Sequence, residues 1–147
     1  MKKLTLLLLF AVNASFAQTD AGDFQNFKPR FEVFELPGGA SGNSVQGIVQ
    51  DSTGFLWLAS QAGLHRYDGQ NFVTYQHDPL DANSLSSDYI EYIFLDSKGV
   101  LWMTHYSGGG LTAFDPATET FTRYRHDPNN PESLSHNTNS VVVEDRQ

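Results

Sequence analysis

The chain of 147 residues contains no cysteine, which excludes disulfide bonds, thiolate metal ligands and the lipidated cysteine of a lipoprotein. Basic residues are few: nine Lys and Arg stand against 17 Asp and Glu. The resulting net charge of −8 argues against a nucleic-acid partner, which would require a basic face. An apolar period of 3.6 residues is also missing beyond the N-terminal leader, so no helix is predicted there.

Long apolar runs are absent as well. The longest, residues 4–12, has nine residues, whereas a transmembrane helix needs roughly 20. The run follows Lys2 and Lys3 and precedes Ser15-Phe16-Ala17, a pattern typical of a secretory signal peptide at residues 1–17 that is cut after Ala17. We therefore expect an exported protein, whose residues 18–30 form a polar lead-in.

What the sequence does contain is an internal repeat. Asp51-Ser-Thr-Gly54-Phe-Leu-Trp57 returns as Asp96-Ser-Lys-Gly99-Val-Leu-Trp102 after 45 positions, and residues 72–79 return as residues 121–128 after 49. A third copy opens at residues 141–147. A period of roughly 40 to 50 residues built from short strands is the signature of a β-propeller blade. We predict an all-β propeller with four-stranded antiparallel blades, of which this sequence holds about two.

Each copy predicts four strands. They lie at residues 45–50, 55–59, 64–67 and 72–75 in the first copy and at 90–95, 100–104, 111–114 and 121–124 in the second. Asp51 with Gly54, and Asp96 with Gly99, predict the turn between the first two strands of each blade. Asp68-Gly69 is a two-residue hairpin signal in the turn at residues 68–71, between the third and fourth strands of the first copy.

The repeat also predicts the domain organisation. Residues 31–147 form a partial propeller, divided into an N-terminal closing strand (31–43), blade 1 (44–87), blade 2 (88–136) and the start of blade 3 (137–147). Residues 31–34 resemble the fourth strand of the two copies, and such a strand would complete the last blade of a closed ring. Two blades leave open sheet edges, so we expect this sequence to be part of a longer chain.

The short motifs that recur in both copies resemble those of a known family. Asp-Ser-x-Gly-x-Leu-Trp, Gly-Leu-x-x-Tyr/Phe-Asp, His-Asp-Pro and Ser-Leu-Ser follow one another in both copies, and the chain from Phe31 to Gln147 resembles the two-component regulator propeller repeat. That family forms the periplasmic sensor region of hybrid two-component histidine kinases. The resemblance implies an oligosaccharide ligand, further blades, downstream domains with a membrane anchor, and a possible dimer. It implies no cofactor.

Two other interpretations stay open. A stand-alone secreted propeller could act as a carbohydrate-binding protein or polysaccharide lyase, and a product of this length could have a structural role if it oligomerises. No nucleophile elbow, phosphoacceptor-histidine motif or ATP-binding glycine box is present in the sequence, so no enzyme activity is predicted for these residues. No metal site is predicted, because the histidines of the two His-Asp-Pro segments belong to different blades.

The candidate site residues fall into two groups. Since strands alternate in direction, the turns between the second and third strands share a face with the connections between blades. The weak ligand-binding candidates on that face are Gln61, His77, His105, Tyr106 and His126. Asp51, Gly54, Trp57, Asp96, Gly99 and Trp102 are interpreted as structural markers of the blade, with sugar stacking by the tryptophans and cation binding by the aspartates as alternatives.

Overall fold

The computed structural model describes residues 28, 30, 31, 33–106, 108–138 and 140–145. The predicted signal peptide and nearly all of the lead-in lie outside these residues, as does part of the predicted closing strand. The chain divides into a unit at Met1–Glu35 and a unit at Leu36–Gln147. All eight strands belong to the second unit.

The predicted architecture is confirmed: the strands form two four-stranded antiparallel sheets. The first contains β1 (Val45–Gln50), β2 (Leu56–Ser60), β3 (Gly63–Tyr67) and β4 (Phe72–Tyr75), and the second contains β5 (Ile90–Leu95), β6 (Leu101–His105), β7 (Leu111–Asp115) and β8 (Thr120–Tyr124). In each sheet the spatial order follows the chain order, as in a propeller blade. Both sheets also carry a register irregularity near the start of their first strand.

Two local features lie outside the eight strands. Gly39–Gly42 forms a single helical turn, in which the Asn43 amide donates to the Gly39 carbonyl at 3.1 Å. Four residues are too few to show a 3.6-residue period, so the pattern could not reveal it. The turn after β3 spans residues 68–71, the same four residues that the predicted strands leave between them, and in it the Asp68 carboxylate accepts from the amides of Gln70 and Asn71.

The two sheets pack face to face around an apolar core. Its fully buried members come from both sheets and from the connection between them: Trp57, Ala59, Leu64, Leu85, Ile90, Leu101, Met103 and Phe114. Trp57 meets the ring of Phe114 edge-on at a centroid distance of 5.4 Å. Each sheet therefore buries one of its faces on the other, as neighbouring blades do in a propeller.

The first unit contributes no strand among its described residues. Phe31 and Val33 are exposed, and the closing role of residues 31–43 stays a prediction because the last blade, its expected partner, is not among the described residues. In the part of the chain that the structure describes, no helix has the length and apolar character that crossing a membrane demands.

Candidate ligand-binding face

Two of the candidate residues, Gln61 and Tyr106, come together through Tyr89 where blade 1 (β1–β4) meets blade 2 (β5–β8), on the face that carries the β2–β3 and β6–β7 turns. The Gln61 side-chain amide donates to the Tyr89 hydroxyl at 2.9 Å. The Tyr89 ring stacks on Tyr106, with centroids 4.9 Å apart and planes 27° from parallel. The Tyr106 amide also donates to the Tyr89 carbonyl at 3.1 Å. These residues, Gln61, Tyr89 and Tyr106, form what we call the tyrosine patch.

The tyrosine patch has the chemistry of a sugar-binding surface. Tyr106 is 56 % exposed, so one face of its ring is open to solvent while the other rests on Tyr89. Aromatic rings with polar tips combine an apolar face with hydrogen-bonding groups at the edge, which matches the alternating apolar and hydroxyl surfaces of a saccharide. Tyr89 was not among the candidates. The signal that could have found it is its departure from the repeat, because Ser44 holds the corresponding position before β1.

His105 is not on the surface. Its side chain is fully buried at the end of β6, where Nε2 lies 2.8 Å from the Thr112 hydroxyl, which in turn donates to Ser86 at 3.0 Å. Its Nδ1 forms no hydrogen bond of good geometry with the described residues. Burial lowers the pKa of His105 to about 4, against the opposing effects of the Ser87 and Tyr89 backbone and of Asp88. The structure therefore places His105 in the blade interior beneath the tyrosine patch.

His77 and His126 hold the connections after β4 and β8. The Nδ1 of His77 lies 2.6 Å from the Leu85 carbonyl, and its amide donates to the Asp88 carboxylate. His126 makes the corresponding contacts with the Leu134 carbonyl and the side chain of Asn137. Both histidines stabilise their own connection, and among the described residues no hydrogen bond joins either of them to Gln61 or Tyr106.

The structural markers form one motif in each blade. The Asp51 carboxylate accepts from the amides of Thr53 and Phe55 and, at 2.8 Å, from the indole Nε1 of Trp57. Burial raises the pKa of Asp51, but the hydrogen bonds from Thr53, Trp57 and Phe55 outweigh it, so this pKa lies below its ordinary value. Gly54 has φ of +95°, which a residue with a side chain rarely adopts.

The second blade repeats this motif. Asp96 accepts from Val100 and from Trp102 Nε1, the latter again at 2.8 Å, and Gly99 has φ of +84°. With their oxygen atoms committed to the turn and the indole, Asp51 and Asp96 act as turn residues in this structure. Both tryptophans point their indole Nε1 at their own turn, but the Trp57 ring packs on Phe114 of blade 2, whereas the Trp102 ring stacks on Tyr124 of its own blade.

A concavity with a volume of about 260 Å³ lies between the blades, near the β1–β2 turn. The Arg66 guanidinium sits over the Phe55 ring at 5.1 Å and pairs loosely with the Glu119 carboxylate at 3.6 Å. Glu119 also accepts from the Tyr75 hydroxyl at 3.1 Å and has φ of +52°. Glu119 of blade 2 thus contacts Arg66 and Tyr75 of blade 1, so an ion pair and a hydrogen bond join the two blades here.

Comparison with known proteins agrees with this geometry. Residues 39–62 match the model of the two component regulator propeller. The chain is 39% identical over 62 residues to histidine kinase P4 of Formosa agariphila, a match that covers 42% of this chain and 4% of that protein. The structure matches the crystal structure of the extracellular domain of a protein assigned as a hybrid two component system from B. thetaiotaomicron.

That structural match has a TM-score of 0.58 and 31% sequence identity, and it covers 65% of this chain. The resemblance to the two-component regulator propeller family is confirmed. This chain spans only 13% of the solved propeller chain and 4% of the kinase, so it corresponds to a small part of each. It resembles the extracellular propeller domain of a hybrid two-component system.

Proposed function

We propose that these residues form the first blades of a periplasmic sensor propeller in a hybrid two-component system, and that they take part in binding an oligosaccharide. The sensor role is supported by the repeat and by the likeness to an extracellular domain of such a system. Export by the predicted signal peptide would bring the propeller to the periplasm.

The observation that carries the ligand proposal is the tyrosine patch. Its three side chains come from the β2–β3 turn, the connection between the blades and the β6–β7 turn. A ligand resting on Tyr106 would therefore touch both blades near their junction, and binding would favour one spacing of the blades over another. Such differential binding is what a sensor needs in order to convert occupancy into a conformational signal.

Binding is favoured over catalysis by the arrangement of the polar groups. The candidate histidines of the described chain are committed to structural contacts: His105 to Thr112, His77 to Leu85 and His126 to Leu134. The Asp51 and Asp96 carboxylates accept from their own turns. A general base would need a lone pair within reach of a substrate, and none of these five groups offers one on the tyrosine patch.

The test is calorimetric titration of the full-length protein with a panel of short neutral and acidic oligosaccharides. Loss of the stacking ring in Tyr106→Ala should weaken binding of the active sugar by about threefold to tenfold. Tyr106→Phe, which keeps the ring, should bind nearly as well as the parent protein. Glu132→Ala, an exposed change in the connection after β8, is the matched control.

Two results would count against the proposal. If no oligosaccharide of the panel binds, the saccharide class is wrong. If a sugar binds and Tyr106→Ala has the same affinity as Tyr106→Phe, the ligand lies on another part of the protein and the tyrosine patch has no part in recognising it.

A further inference from the structure

The connections that leave the two blades have the same local fold. After β4, the Asp78 amide donates to Ser84 Oγ at 2.8 Å, and after β8 the Asp127 amide donates to Ser133 Oγ at 2.9 Å. The histidine before each aspartate also contacts a leucine carbonyl in both copies, at 2.6 and 2.7 Å. Each connection from His-Asp-Pro to Ser-Leu-Ser is therefore stabilised by hydrogen bonds of its own side chains.

The surroundings of the two connections differ. Leu85 is fully buried, and Ser84 and Ser86 are 6 % and 5 % exposed. In the second copy, Leu134 and Ser133 are only half-buried, and Ser135 is exposed. Since the internal hydrogen bonds are the same, the difference arises from what covers the connection and not from how it folds.

An arginine of the following blade covers the first connection. The Nε of Arg123, on β8, donates to the Ser84 carbonyl at 2.8 Å, and its Nη2 donates to the Asp81 carbonyl at 2.9 Å. Beside it, the Phe121 amide donates to the side chain of Asn83 at 2.7 Å. Charge-assisted hydrogen bonds of this kind are stronger than neutral ones, so strand β8 clamps the connection that precedes its own blade.

The same position in the first blade has no cation. Thr74 occupies on β4 the place that Arg123 occupies on β8. The segment before β1 contains the helical turn Gly39–Gly42 and no His-Asp-Pro connection. The cation is present in the blade that follows a His-Asp-Pro connection and absent from the blade that does not.

Blade 2 has an open sheet face that corresponds to the face of blade 1 covered by blade 2. We define its open face by Trp102, Thr104 and Tyr124, which alternation places on one side of the sheet. Trp102 is partly exposed and Tyr124 is 42 % exposed. The buried Thr104 hydroxyl has no hydrogen-bond partner among the described residues.

The third copy of the repeat already starts on this surface. Val142 and Val143 line a groove with Phe94, Trp102 and Leu111. The Glu144 carboxylate accepts from both the amide and the hydroxyl of Ser97, at 2.9 and 2.6 Å. Because these residues continue the repeat, the same chain is the occupant that the contacts favour over a second copy of the protein.

We propose that the fourth strand of the repeat that packs on the open face carries an Arg or Lys that binds the carbonyls of Asn130 and Ser133. These two residues correspond to Asp81 and Ser84 of the first connection. The inference rests on the proposed function only in that both require a longer propeller. It extends that function by naming the chemistry that joins successive blades.

The experiment begins with the full-length sequence, in which the cation should lie about 45 to 50 residues after Arg123. Hydrogen exchange of the full-length protein is then measured after replacing that cation with Gln. Exchange of the amides at 127–135 should rise roughly tenfold or more, since hydrogen bonds to a charged group are lost. Arg123→Gln is the matched control and should raise exchange at 78–86 while leaving 127–135 unchanged.

Three outcomes would overturn the inference: an uncharged residue at the predicted position, unchanged exchange at 127–135 when the cation is removed, or protection of 127–135 that depends on protein concentration. The last would show that a second copy covers the open face. Failure here leaves the oligosaccharide titration untouched, and failure of that titration leaves the exchange result untouched, so the two proposals can fail separately.

Discussion

Trp57 and Trp102 occupy the same position in the two blades, yet they have different environments. Both donate their indole Nε1 to the aspartate of their own turn at 2.8 Å. Trp57 is fully buried against Phe114 of the next blade, whereas Trp102 is partly exposed and stacks on Tyr124 of its own blade at 5.8 Å. The internal geometry of a blade is therefore set by its own sequence, while the burial of its aromatic face depends on the neighbour.

Each blade has a buried pair of a histidine and a hydroxyl residue, and the two residue types exchange strands between the blades. In blade 1, Ser60 on β2 lies 2.9 Å from Nε2 of His65 on β3. In blade 2, the histidine is on the second strand and the hydroxyl on the third, as His105 and Thr112. Both blades thus keep one histidine–hydroxyl pair in the interior. Either the second or the third strand of a blade can therefore supply the histidine of this pair.

The largest expected loss of stability comes from truncating either of the two tryptophans. Trp57→Ala should destabilise the full-length protein by roughly 3 to 5 kcal/mol, as expected for truncation of a buried large aromatic residue. If a further blade covers the open face, Trp102→Ala should cost a similar amount. Urea denaturation of the propeller measures both. A cost below about 1 kcal/mol for Trp102→Ala, on the scale of surface changes, would show that the asymmetry persists in the whole protein.

The next effect concerns the pH dependence of stability and arises from the burial of His105. Its folded-state pKa of about 4 lies below its ordinary value of 6.5, so the unfolded chain binds the proton first as the pH falls. Stability is therefore complete above pH 6.5 and declines between pH 6.5 and 4, by roughly 2 to 4 kcal/mol from this group.

Denaturation at pH 7 and pH 5 measures this decline. His105→Gln should reduce it, and the part that remains should include the contribution of His65, whose pKa burial also lowers. Equal slopes for the parent protein and His105→Gln would mean that this imidazole does not resist protonation in the folded state.

Much of the blade could be predicted from the repeat. The bounds of β1, β4 and β5 agree with the sequence analysis to the residue. Strands β3, β7 and β8 are one residue longer at one end, and β2 and β6 are shifted by one residue along the chain. The shared Asp and Gly positions define the turns, and the alternation of apolar residues defines the strands between them. These are local properties that a single sequence contains.

The tertiary features could not be predicted in the same way. Tyr89 joins the tyrosine patch because two turns and a connection meet in space, and His105 is buried because of the loop above it. In that loop, a side chain on Gly109 would lie 2.5 Å from the His105 Cβ, so the chain passes directly over the imidazole. Close approach of this kind has no signature in the spacing of residues.

A moderate effect is expected for the turn aspartates. Asp51→Ala removes the acceptor for two amides and for a buried indole, and should destabilise the full-length protein by about 2 kcal/mol. Asp96→Ala should cost the same if both indoles are buried, and urea denaturation of the two variants makes the comparison. A much smaller cost for Asp96→Ala would indicate that water replaces the lost acceptor at Trp102.

The smallest effect is expected at Glu119, which joins the blades through Arg66 and Tyr75. Glu119→Gln should change stability by less than about 1 kcal/mol, because exposed ion pairs contribute little. Urea denaturation at low and high salt should give the same small difference. A cost comparable to that of Trp57→Ala would mean that charge, and not apolar packing, holds the blades together.

The most direct test of the account is hydroxyl-radical footprinting of the full-length protein, read at Trp57, Trp102 and Tyr106 by mass spectrometry. If each blade is completed by the one that follows, Trp57 and Trp102 should be protected to the same degree, while the exposed Tyr106 is oxidised. Oxidation of Trp102 at the rate of Tyr106, with Trp57 protected, would show that no blade packs on the second one and would contradict the account.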